Sequence, residues 1–204
     1  MKKYLVIGNP IEHSLSPKLH NHWIKENNID AIYDKKLLNE GGIEEIITEV
    51  KNEKIHGINV TVPFKKSVIP FLDQLTPLAK ETQSVNTIYK ENKNGVDVVV
   101  GANTDVGGFK QSLEYINYNV KNKKVFILGA GGVVPSILKA LEKLEAAKVY
   151  ISNRTKEKAR DLESYYKISL GLETLDWGKS PDFDIIINAT SLGLKNNDKI
   201  ELDY

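Results

Sequence analysis

The chain begins with an apolar run followed by an amphipathic stretch. The run KYLVIG is short and ends at Gly8, which is typical of a strand, whereas SPKLHNHWIKENN has the apolar spacing of a helix. Ser16 is a candidate N-cap of this helix, and Leu19, Trp23 and Ile24 are expected to share one of its faces. The pattern predicts a strand, a loop and a helix, in that order.

The same order of elements recurs further along the chain. IYDKKLL, GIEEIITEVKNEK and GINVTV have the patterns of a strand, a helix and a strand. The segment SVNTIYKENKNGVDVVVGAN then predicts a hairpin that turns at Asn94 and Gly95. Residues 1–104 are therefore expected to form a mixed α/β domain.

The spacing changes near Asp105, and we place a domain boundary between Asn103 and Asp105. A helix over DVGGFKQSLEYINYN leads into an apolar strand, a glycine turn, an amphipathic helix, a second strand and another helix. This is the order of a βαβ unit with a parallel sheet. FDIIINATSLGL adds a predicted buried strand over residues 183–187, so residues 105–204 are expected to form a second α/β domain.

A line of polar residues interrupts the segment GINVTVPFKK, which otherwise resembles a buried strand from residue 58 to residue 64. Because side chains alternate between the faces of a strand, Asn59, Thr61 and Lys65 are expected to share one face. The other face is expected to pack in the core and consists of Ile58, Val60, Val62 and Phe64. An ordinary half-exposed strand has the same alternation, but an amide, a hydroxyl and an ammonium on one line also suit a polyhydroxy ligand.

The segment VFILGAGGVV places Gly129, Gly131 and Gly132 between a strand and a helix. A glycine turn at this position lets the backbone approach a pyrophosphate closely, although the third small residue of a dinucleotide fingerprint would fall at Val134. A tight turn without a ligand would need the same glycines. The glycines alone are therefore a weak indication of nucleotide binding.

The end of the second strand, in YISNRTKEKAR, bears on the choice of nucleotide. NAD-binding proteins of this type carry an acidic residue there, which holds the ribose hydroxyls. This chain has Asn153 and Arg154 instead, and a guanidinium suits a 2′-phosphate, so the sequence favours NADP over NAD. For Lys156 and Arg160, a solvated basic face of the helix is the better interpretation.

Two hydroxyl side chains, Ser14 and Ser16, follow the first strand at a spacing of i and i+2. Both can reach a carboxylate, or they can cap the helix that follows. The histidines are interpreted as structural, because none has an evident acidic partner or metal-ligand spacing, and no metal site is expected. They are His13, His20, His22 and His56.

Composition bears on the partner rather than on the fold. The 204 residues carry 28 basic and 27 acidic side chains, a formal net charge of +1, which gives no field to attract nucleic acid or an anionic membrane. Cysteine is absent, which excludes disulfides and thiolate chemistry. There is no signal-peptide pattern and no apolar run of about 18 residues. We expect a soluble cytoplasmic protein whose partner is a small molecule.

The motifs taken together resemble the shikimate dehydrogenase family. They occur in the family's order and approximate spacing: GNPIEHSLSP, NVTVPFKK, SVNT, GANTD, GAGG, SNRT and INATSLG. This resemblance covers nearly the whole chain and implies a substrate-binding domain over 1–104, a Rossmann-type NADP-binding domain over 105–204, and a cleft between them. It also implies reversible reduction of 3-dehydroshikimate to shikimate by NADPH, in aromatic amino acid biosynthesis.

The resemblance also implies roles for residues of the substrate domain. Lys65 would be catalytic, paired with Asp105, because an ammonium stabilises the negative charge that hydride transfer builds on a carbonyl oxygen. Lys66 is the predicted bystander. Ser14 and Ser16 would bind the substrate carboxylate. The ligands of its hydroxyl groups would be Asn59, Thr61, Asn86 and Asp105.

In the second domain the resemblance implies a set of cofactor contacts. The pyrophosphate turn would be formed by Gly129, Gly131 and Gly132. The adenosine phosphate would be bound by Asn153, Arg154, Thr155 and Lys158, and Thr190 and Ser191 would lie near the nicotinamide. Caps on a turn after a strand are the alternative role for the last two.

Alternative functions remain open at this level. One is a quinate or quinate/shikimate dehydrogenase that uses NAD, against which Arg154 and the two serines argue. The other is a non-catalytic binding or regulatory relative that keeps the fold. A homodimer, or a place in a fusion of pathway enzymes, is compatible with the family.

Some features depart from the family pattern. Val106 follows the motif NTD, where Gly is usual. Val133, Val134 and Pro135 follow the glycine turn, where small residues and an Arg are usual, and this bears on cofactor affinity. The family continues beyond the position of Tyr204 with a segment that includes a substrate-binding Gln, so we expect the chain to lack one wall of the cleft.

Overall fold

The chain divides into two units, one ending at Thr104 and the other beginning at Asp105. The computed structural model describes residues 1–193 and 197–203. Each unit is built around its own sheet with helices packed against it, so the predicted α/β class is confirmed. Within the described residues, no helix combines the length and the apolar character needed to cross a membrane.

The first unit contains a six-stranded sheet. Its strands are β1 (Lys2–Gly8), β2 (Ala31–Leu37), β3 (Gly57–Val60), β4 (Gln74–Leu75), β5 (Thr87–Lys93) and β6 (Val96–Ala102). Its α-helices are α1 (Ser16–Glu26), α2 (Ile43–Lys51) and α3 (Pro77–Thr82), with 3₁₀ turns at Glu40–Gly42 and Ile69–Phe71. The strand order is β2-β1-β3-β5-β6-β4.

Strand directions bring several chain segments to one edge of this sheet. β1 is parallel to β2 and β3, and β5 is antiparallel to β3 and β6. The carboxyl ends of β1, β3 and β6 and the amino end of β5 therefore lie together, and we refer to this as the carboxyl edge. The β5–β6 hairpin turns at Asn94 and Gly95, both with positive φ, which confirms the predicted turn.

The main core of the first unit lies between the sheet and α2. This helix buries a stripe at the helical spacing, made up of Ile43, Ile46, Ile47 and Val50. The stripe packs against alternate residues of the strands, including Ile7, Ile58 and Ile88. Each fully buried aliphatic side chain of this kind contributes about 1.5–3 kcal/mol by its removal from water.

α1 faces the sheet through one of the three residues predicted to share its apolar face. Leu19 and Trp23 are 47% and 46% exposed, whereas the contacts with the sheet come from His20, Asn21 and Ile24. The predicted apolar face was therefore wrong for two of its three members. The reason is that a ring stack and a side-chain to backbone hydrogen bond orient this helix, and apolar spacing does not report either.

The start of α1 also differs from the prediction. Leu15 occupies the N-cap and Ser16 is the first helical residue, so Ser16 is not the cap. Instead the Oγ of Ser14 accepts a hydrogen bond from the backbone N–H of Ser16 at 3.4 Å. On the outer face of α1, His22 lies 3.4 Å from the carboxylate of Glu26, an acidic partner that the sequence analysis did not identify.

The predicted strand from residue 58 to residue 64 is shorter than expected. β3 ends at Val60, because Pro63 has no N–H with which to extend the ladder and the chain turns there. Val62, predicted in the core, is 57% exposed, whereas Phe64 is buried as predicted. Lys65 consequently lies on a turn rather than on a strand.

The second unit contains a four-stranded parallel sheet. Its strands are β7 (Lys124–Leu128), β8 (Lys148–Ser152), β9 (Glu173–Leu175) and β10 (Ile185–Asn188), in the order β10-β7-β8-β9. Its helices are α4 (Asp105–Tyr115), α5 (Val134–Lys143) and α6 (Lys156–Leu170). The predicted βαβ order and parallel sheet are therefore present.

β10 differs from its prediction as a buried strand over residues 183–187. It spans Ile185–Asn188, and the side chain of Ile186 is 40% exposed. Among the described strands it pairs with β7. Apolar composition therefore identified the strand but not the exposure of Ile186.

The core of the first unit leads to a test of stability. Ile46→Ala in α2 removes a fully buried side chain and is expected to lower the free energy of unfolding by about 2–5 kcal/mol. Ile32→Ala, at a residue that is 42% exposed on β2, is the matched control, with an expected loss of about 0.5 kcal/mol or less. Urea unfolding followed by circular dichroism measures both. Equal losses would contradict the assigned core.

Candidate functional site

The carboxyl edge of the first sheet is formed by loops that pack closely on one another. The N–H of Thr61, just after β3, donates to the carbonyl of Ile7 in β1 at 3.0 Å. A Cβ at Gly8 would lie only 2.6 Å from Cγ2 of Thr61, so glycine is required for this approach. The chain segments that leave β1 and β3 are thus held side by side.

The side chain of Asn59, near the end of β3, lies at the centre of a hydrogen-bond network. Its Oδ1 accepts from the hydroxyl of Tyr33 at 2.6 Å. Its Nδ2 donates to the backbone carbonyl of Asn86 and to Oγ1 of Thr87, each at 3.3 Å. The structure therefore brings together two predicted substrate residues, Asn59 and Asn86.

Asn86 connects this network to Thr104, the last residue of the first unit. Its Nδ2 donates to Oγ1 of Thr104 at 2.8 Å, and its Oδ1 accepts from the N–H of Thr104 at 2.9 Å. Oγ1 of Thr87 donates to the same Oδ1 at 3.1 Å. Thr104 directly precedes Asp105, the predicted partner of Lys65 and the first residue of α4. Asn86 thus fixes the backbone that leads into Asp105.

The two predicted carboxylate ligands lie at the start of α1. Both are half-buried, and the hydroxyl of Ser14 accepts from the N–H of Ser16. The side chain of Ser16 lies near the phenol of Tyr33. Burial raises the pKa of Tyr33 above its ordinary value, although the nearby Ser16 hydroxyl opposes this, so the phenol stays protonated. Ser16 and Asn59 therefore both lie at the hydroxyl of Tyr33.

The two adjacent lysines have different surroundings. Lys65 is 8% exposed, and its backbone carbonyl accepts from the N–H of Val85, the residue before Asn86, at 2.8 Å. Lys66 is exposed. A buried ammonium is costly unless other groups compensate it, which is typical of a functional or paired lysine. The two lysines therefore differ in burial, and the bystander role of Lys66 stays a prediction.

In the second unit, the glycine turn after β7 suits a site where the pyrophosphate of a nucleotide lies close to the protein backbone. Gly129 has a φ of +104°, and a Cβ there would lie 2.8 Å from the carbonyl oxygen of Ala189 and 3.0 Å from Cγ2 of Thr190. At Gly131 the nearest atom to an added Cβ is 4.0 Å away. The turn is followed directly by α5, whose N-terminus carries the partial positive charge that favours phosphate.

The end of β8 presents the residues expected at the adenosine end of the cofactor. Oδ1 of Asn153 accepts from the N–H of Ala130 at 3.1 Å, and its Nδ2 donates to the carbonyl of Thr155 at 2.7 Å. Asn153 therefore joins the glycine turn to the start of α6. Arg154 and Lys158 are exposed beside it. The described part of the chain offers Arg154 no ion pair.

Lys156, at the start of α6, is half-buried and paired within the protein. It forms an ion pair with Asp176, and this hydrogen bond lowers the pKa of the Asp176 carboxyl. The charge of Lys156 is thus compensated within the protein. The chemistry of the remaining cations, an exposed guanidinium at the end of β8 in particular, fits a 2′-phosphate.

The predicted nicotinamide contacts follow β10. Oγ1 of Thr190 donates to Oδ1 of Asn188 at 2.7 Å and accepts from the N–H of Leu192 at 3.0 Å, which is the arrangement of a cap. Ser191 is exposed. Because Thr190 also lies against Gly129, the structure brings it to the glycine turn, and its capping bonds fix the loop there.

The departures from the family pattern have structural roles. Val134 is fully buried in the core of the second unit and Val106 is buried in the first turn of α4. Pro135 lies in the first turn of α5, where the missing N–H has no intrahelical partner to lose, and its carbonyl accepts from the hydroxyl of Tyr166 at 3.3 Å. No group of side chains with metal-binding character occurs among residues 1–193 and 197–203.

Three connecting residues were not predicted, namely Tyr33, Thr87 and Thr104. The last two stand inside the motifs SVNT and GANTD, so the motifs contained the signal. Tyr33 stands in IYDKKLL, where nothing but its strand pattern marks it.

The glycine turn gives a test that needs no ligand. Gly129→Ala combines an unfavourable φ with a close contact to Ala189 and is expected to cost about 1–3 kcal/mol of stability. Gly131→Ala has open space and no positive φ, so it is the matched control and should leave the melting temperature nearly unchanged. Thermal unfolding without nucleotide measures both, and a larger loss at Gly131 would contradict the geometry of the turn.

Comparison with known proteins agrees with these features. Models of the shikimate dehydrogenase substrate binding domain and of shikimate/quinate 5-dehydrogenase match residues 6–88 and 111–195. The NADP(+) shikimate dehydrogenase of Pelagibacter ubique is 55% identical over 203 residues, which are 100% of this chain and 74% of that protein.

Solved structures give the same result. The crystal structure of shikimate dehydrogenase from Aquifex aeolicus has a TM-score of 0.85 and 40% identity, covering 98% of this chain and 72% of that one. Shikimate 5-dehydrogenase from Thermus thermophilus, crystallised with NADP(H) and shikimate, has a TM-score of 0.82 and 28% identity, covering 95% and 70%. Sequence, fold and the arrangement of the carboxyl edge and glycine turn together establish that the chain belongs to the shikimate dehydrogenase family.

Proposed function

We propose that the protein catalyses the reversible, NADP-dependent reduction of 3-dehydroshikimate to shikimate. The observation that carries this proposal is the carboxyl edge, where Asn59 and Asn86 belong to one hydrogen-bonded network beside the buried Lys65. Family membership supports the same reaction, since the relative from Pelagibacter ubique is an NADP(+) shikimate dehydrogenase.

The substrate would be bound by the first unit. Shikimate carries a carboxylate and several ring hydroxyls, so its recognition needs donors for the anion and mixed donors and acceptors for the hydroxyls. Ser14 and Ser16 at the start of α1 suit the carboxylate. Asn59, Thr61 and Asn86 suit the hydroxyls, and hydrogen bonding already fixes the two amides.

The reacting group would meet Lys65 and Asp105. A nicotinamide nucleotide supplies the hydride when it is bound. As the new C–H bond forms, the carbonyl π electrons become a lone pair on oxygen, and the Lys65 ammonium stabilises this charge and gives the proton that completes the hydroxyl. The carboxylate of Asp105 would favour the charged form of Lys65 and orient it.

The nucleotide would be bound by the second unit. Gly129, Gly131 and Gly132 precede α5 and would accept the pyrophosphate close to the backbone. Thr190 and Ser191 would lie on the nicotinamide side. The adenosine phosphate would be bound at the end of β8 by Asn153, Arg154, Thr155 and Lys158.

The adjacent lysines provide the test of the reaction. The wild-type protein is expected to reduce NADP with shikimate in preference to NAD with quinate. Lys65→Met should lower kcat by about 10²–10⁴-fold, because it removes the group that stabilises and protonates the oxyanion. Lys66→Met makes the same substitution at the next residue, which is exposed, and should keep wild-type kcat.

Steady-state absorbance of NADPH at saturating substrate measures these rates. Preference for quinate with NAD would contradict the proposed substrate pair. Similar losses in the two lysine variants would contradict the role of Lys65 while leaving the reaction itself intact.

The test of cofactor choice compares Arg154, which follows β8, with Arg160, which lies in α6. Arg154→Ala is expected to raise KM for NADP about 10- to 100-fold, because charge-assisted hydrogen bonds to a phosphate contribute about 1.5–3 kcal/mol. KM for NAD should change little, since NAD lacks the 2′-phosphate. Arg160→Ala, which removes a guanidinium from the exposed face of α6, is the control and should leave both KM values unchanged. An equal rise for both nucleotides in Arg154→Ala would overturn the assignment.

A further inference from the structure

Tyr33 crosses the first sheet to reach the predicted substrate residues. It lies on β2, the outermost strand, and pairs in register with Tyr4 of β1. Neighbouring strands are about 4.8 Å apart, and its side chain spans β1 so that the hydroxyl meets Asn59 of β3, two strands away, at 2.6 Å. The residue is 4% exposed and packs with Val6 and Ile11.

α1 holds Tyr33 at its backbone and its ring. The side chain of Asn21 donates to the Tyr33 carbonyl at 2.7 Å and accepts from the Tyr33 N–H at 3.0 Å. The ring of His20 stacks on the phenol with centroids 4.1 Å apart and planes within 3°. Burial lowers the pKa of His20, which favours the neutral ring in this stack. The helix that carries Ser16 therefore also sets the position of Tyr33.

The chemistry of the neighbours gives the network a direction. The backbone carbonyl of Asn86 can only accept, so it must face Nδ2 of Asn59 rather than Oδ1. Oδ1 then faces Tyr33, which must donate its single proton to it. The lone pairs of the Tyr33 oxygen then face the nearby hydroxyl of Ser16. Tyr33 is therefore the donor and Asn59 the acceptor in this contact.

A count of hydrogen-bonding positions shows what Asn59 has left for a ligand. An amide side chain has two donor hydrogens and two acceptor lone pairs. The donors face the Asn86 carbonyl and Oγ1 of Thr87, and Tyr33 uses one lone pair. The second lone pair of Oδ1 remains, and it can accept a hydrogen bond from a hydroxyl group.

We propose that Tyr33 is a positioning residue for the substrate, whose hydroxyl fixes the Asn59 amide so that Oδ1 accepts a hydrogen bond from a substrate hydroxyl. This inference rests on the proposed function, which assigns Ser16 and Asn59 to substrate binding. A ring that served only to fill the core would need no hydroxyl, and phenylalanine would replace it without effect on the substrate.

The test removes the hydroxyl oxygen of Tyr33. Tyr33→Phe keeps the ring and its stack on His20 but leaves Asn59 Oδ1 without its donor. KM for shikimate should rise about tenfold, the effect of losing one hydrogen bond that orients a ligand group. The value of kcat should fall less than KM rises, and KM for NADP should stay the same, because Tyr33 touches no group proposed to react or to bind nucleotide. Calorimetric titration with shikimate gives the same comparison without turnover.

Tyr4→Phe is the matched control. Tyr4 is the register partner of Tyr33, and both line a cavity of about 390 Å³ on this face of the sheet. The Tyr4 hydroxyl makes no hydrogen bond to any residue that the structure describes. The same chemical change at Tyr4 should leave KM for shikimate at its wild-type value.

A double-mutant cycle separates positioning from a general loss of packing. In an Asn59→Ala background, Tyr33→Phe has no amide to release, so its tenfold effect on KM should shrink to about twofold or less. An undiminished effect would mean that Tyr33 does not act through Asn59, and the proposal would be wrong. If Tyr33→Phe does not fold, Asn21→Ala replaces it, since Asn21 contacts the site through Tyr33 and should raise KM for shikimate alone.

The possible outcomes separate the proposed reaction from the positioning role of Tyr33. If the wild-type protein neither binds nor oxidises shikimate, both the proposed function and the role of Tyr33 are overturned. If the wild type is active and Tyr33→Phe has the same KM values as Tyr4→Phe, the reaction stands and the positioning role is rejected. A rise in KM for NADP equal to that for shikimate would also reject it, as the sign of a general structural defect.

Discussion

The pairing of β3 with its two neighbours is the constraint on which the substrate side of this protein depends. β3 is parallel to β1 and antiparallel to β5, and backbone hydrogen bonds at its end join Thr61 to Ile7 and Val60 to Asn86. These bonds bring the end of two strands and the beginning of a third to the same level. Loops from distant parts of the sequence therefore present their polar groups at one edge, as expected where ligands bind beyond the carboxyl ends of strands.

Much of the fold could be predicted from local sequence. The turn at Asn94 and Gly95 and the βαβ order of the second unit depend on backbone chemistry within a few residues, and both are present. The errors concern neighbours in other elements of the fold. Apolar spacing identified α1 but not the face that meets the sheet, because Asn21 orients this helix by its hydrogen bonds to Tyr33 in β2. The apolar run of β10 likewise does not report that Ile186 is exposed.

The candidate site was predictable to a similar extent. Its members could be identified because the motifs preserve order and spacing along the whole chain. Their connections could not, since a hydrogen bond such as that from Tyr33 to Asn59 depends on strand order and on a side chain that crosses β1. Arg154 is the opposite case, because its position at the end of β8 follows from local pattern alone. Lys65 and Lys66 are an intermediate case. The sequence distinguished them by the alternation of faces along a predicted strand, but that strand ends at Val60, before either lysine.

The bond between Asn21 and the backbone of Tyr33 has a consequence beyond the substrate site. β2 is the outer strand of its sheet, and the Tyr33 N–H and C=O that Asn21 occupies point away from β1. Unpaired groups on such a strand would be a template for a strand from another molecule. By occupying both groups at mid-strand, Asn21 acts as a side-chain mimic of the next strand and blocks intermolecular pairing there. The backbone groups of Tyr33 are thus not available to a strand of another molecule.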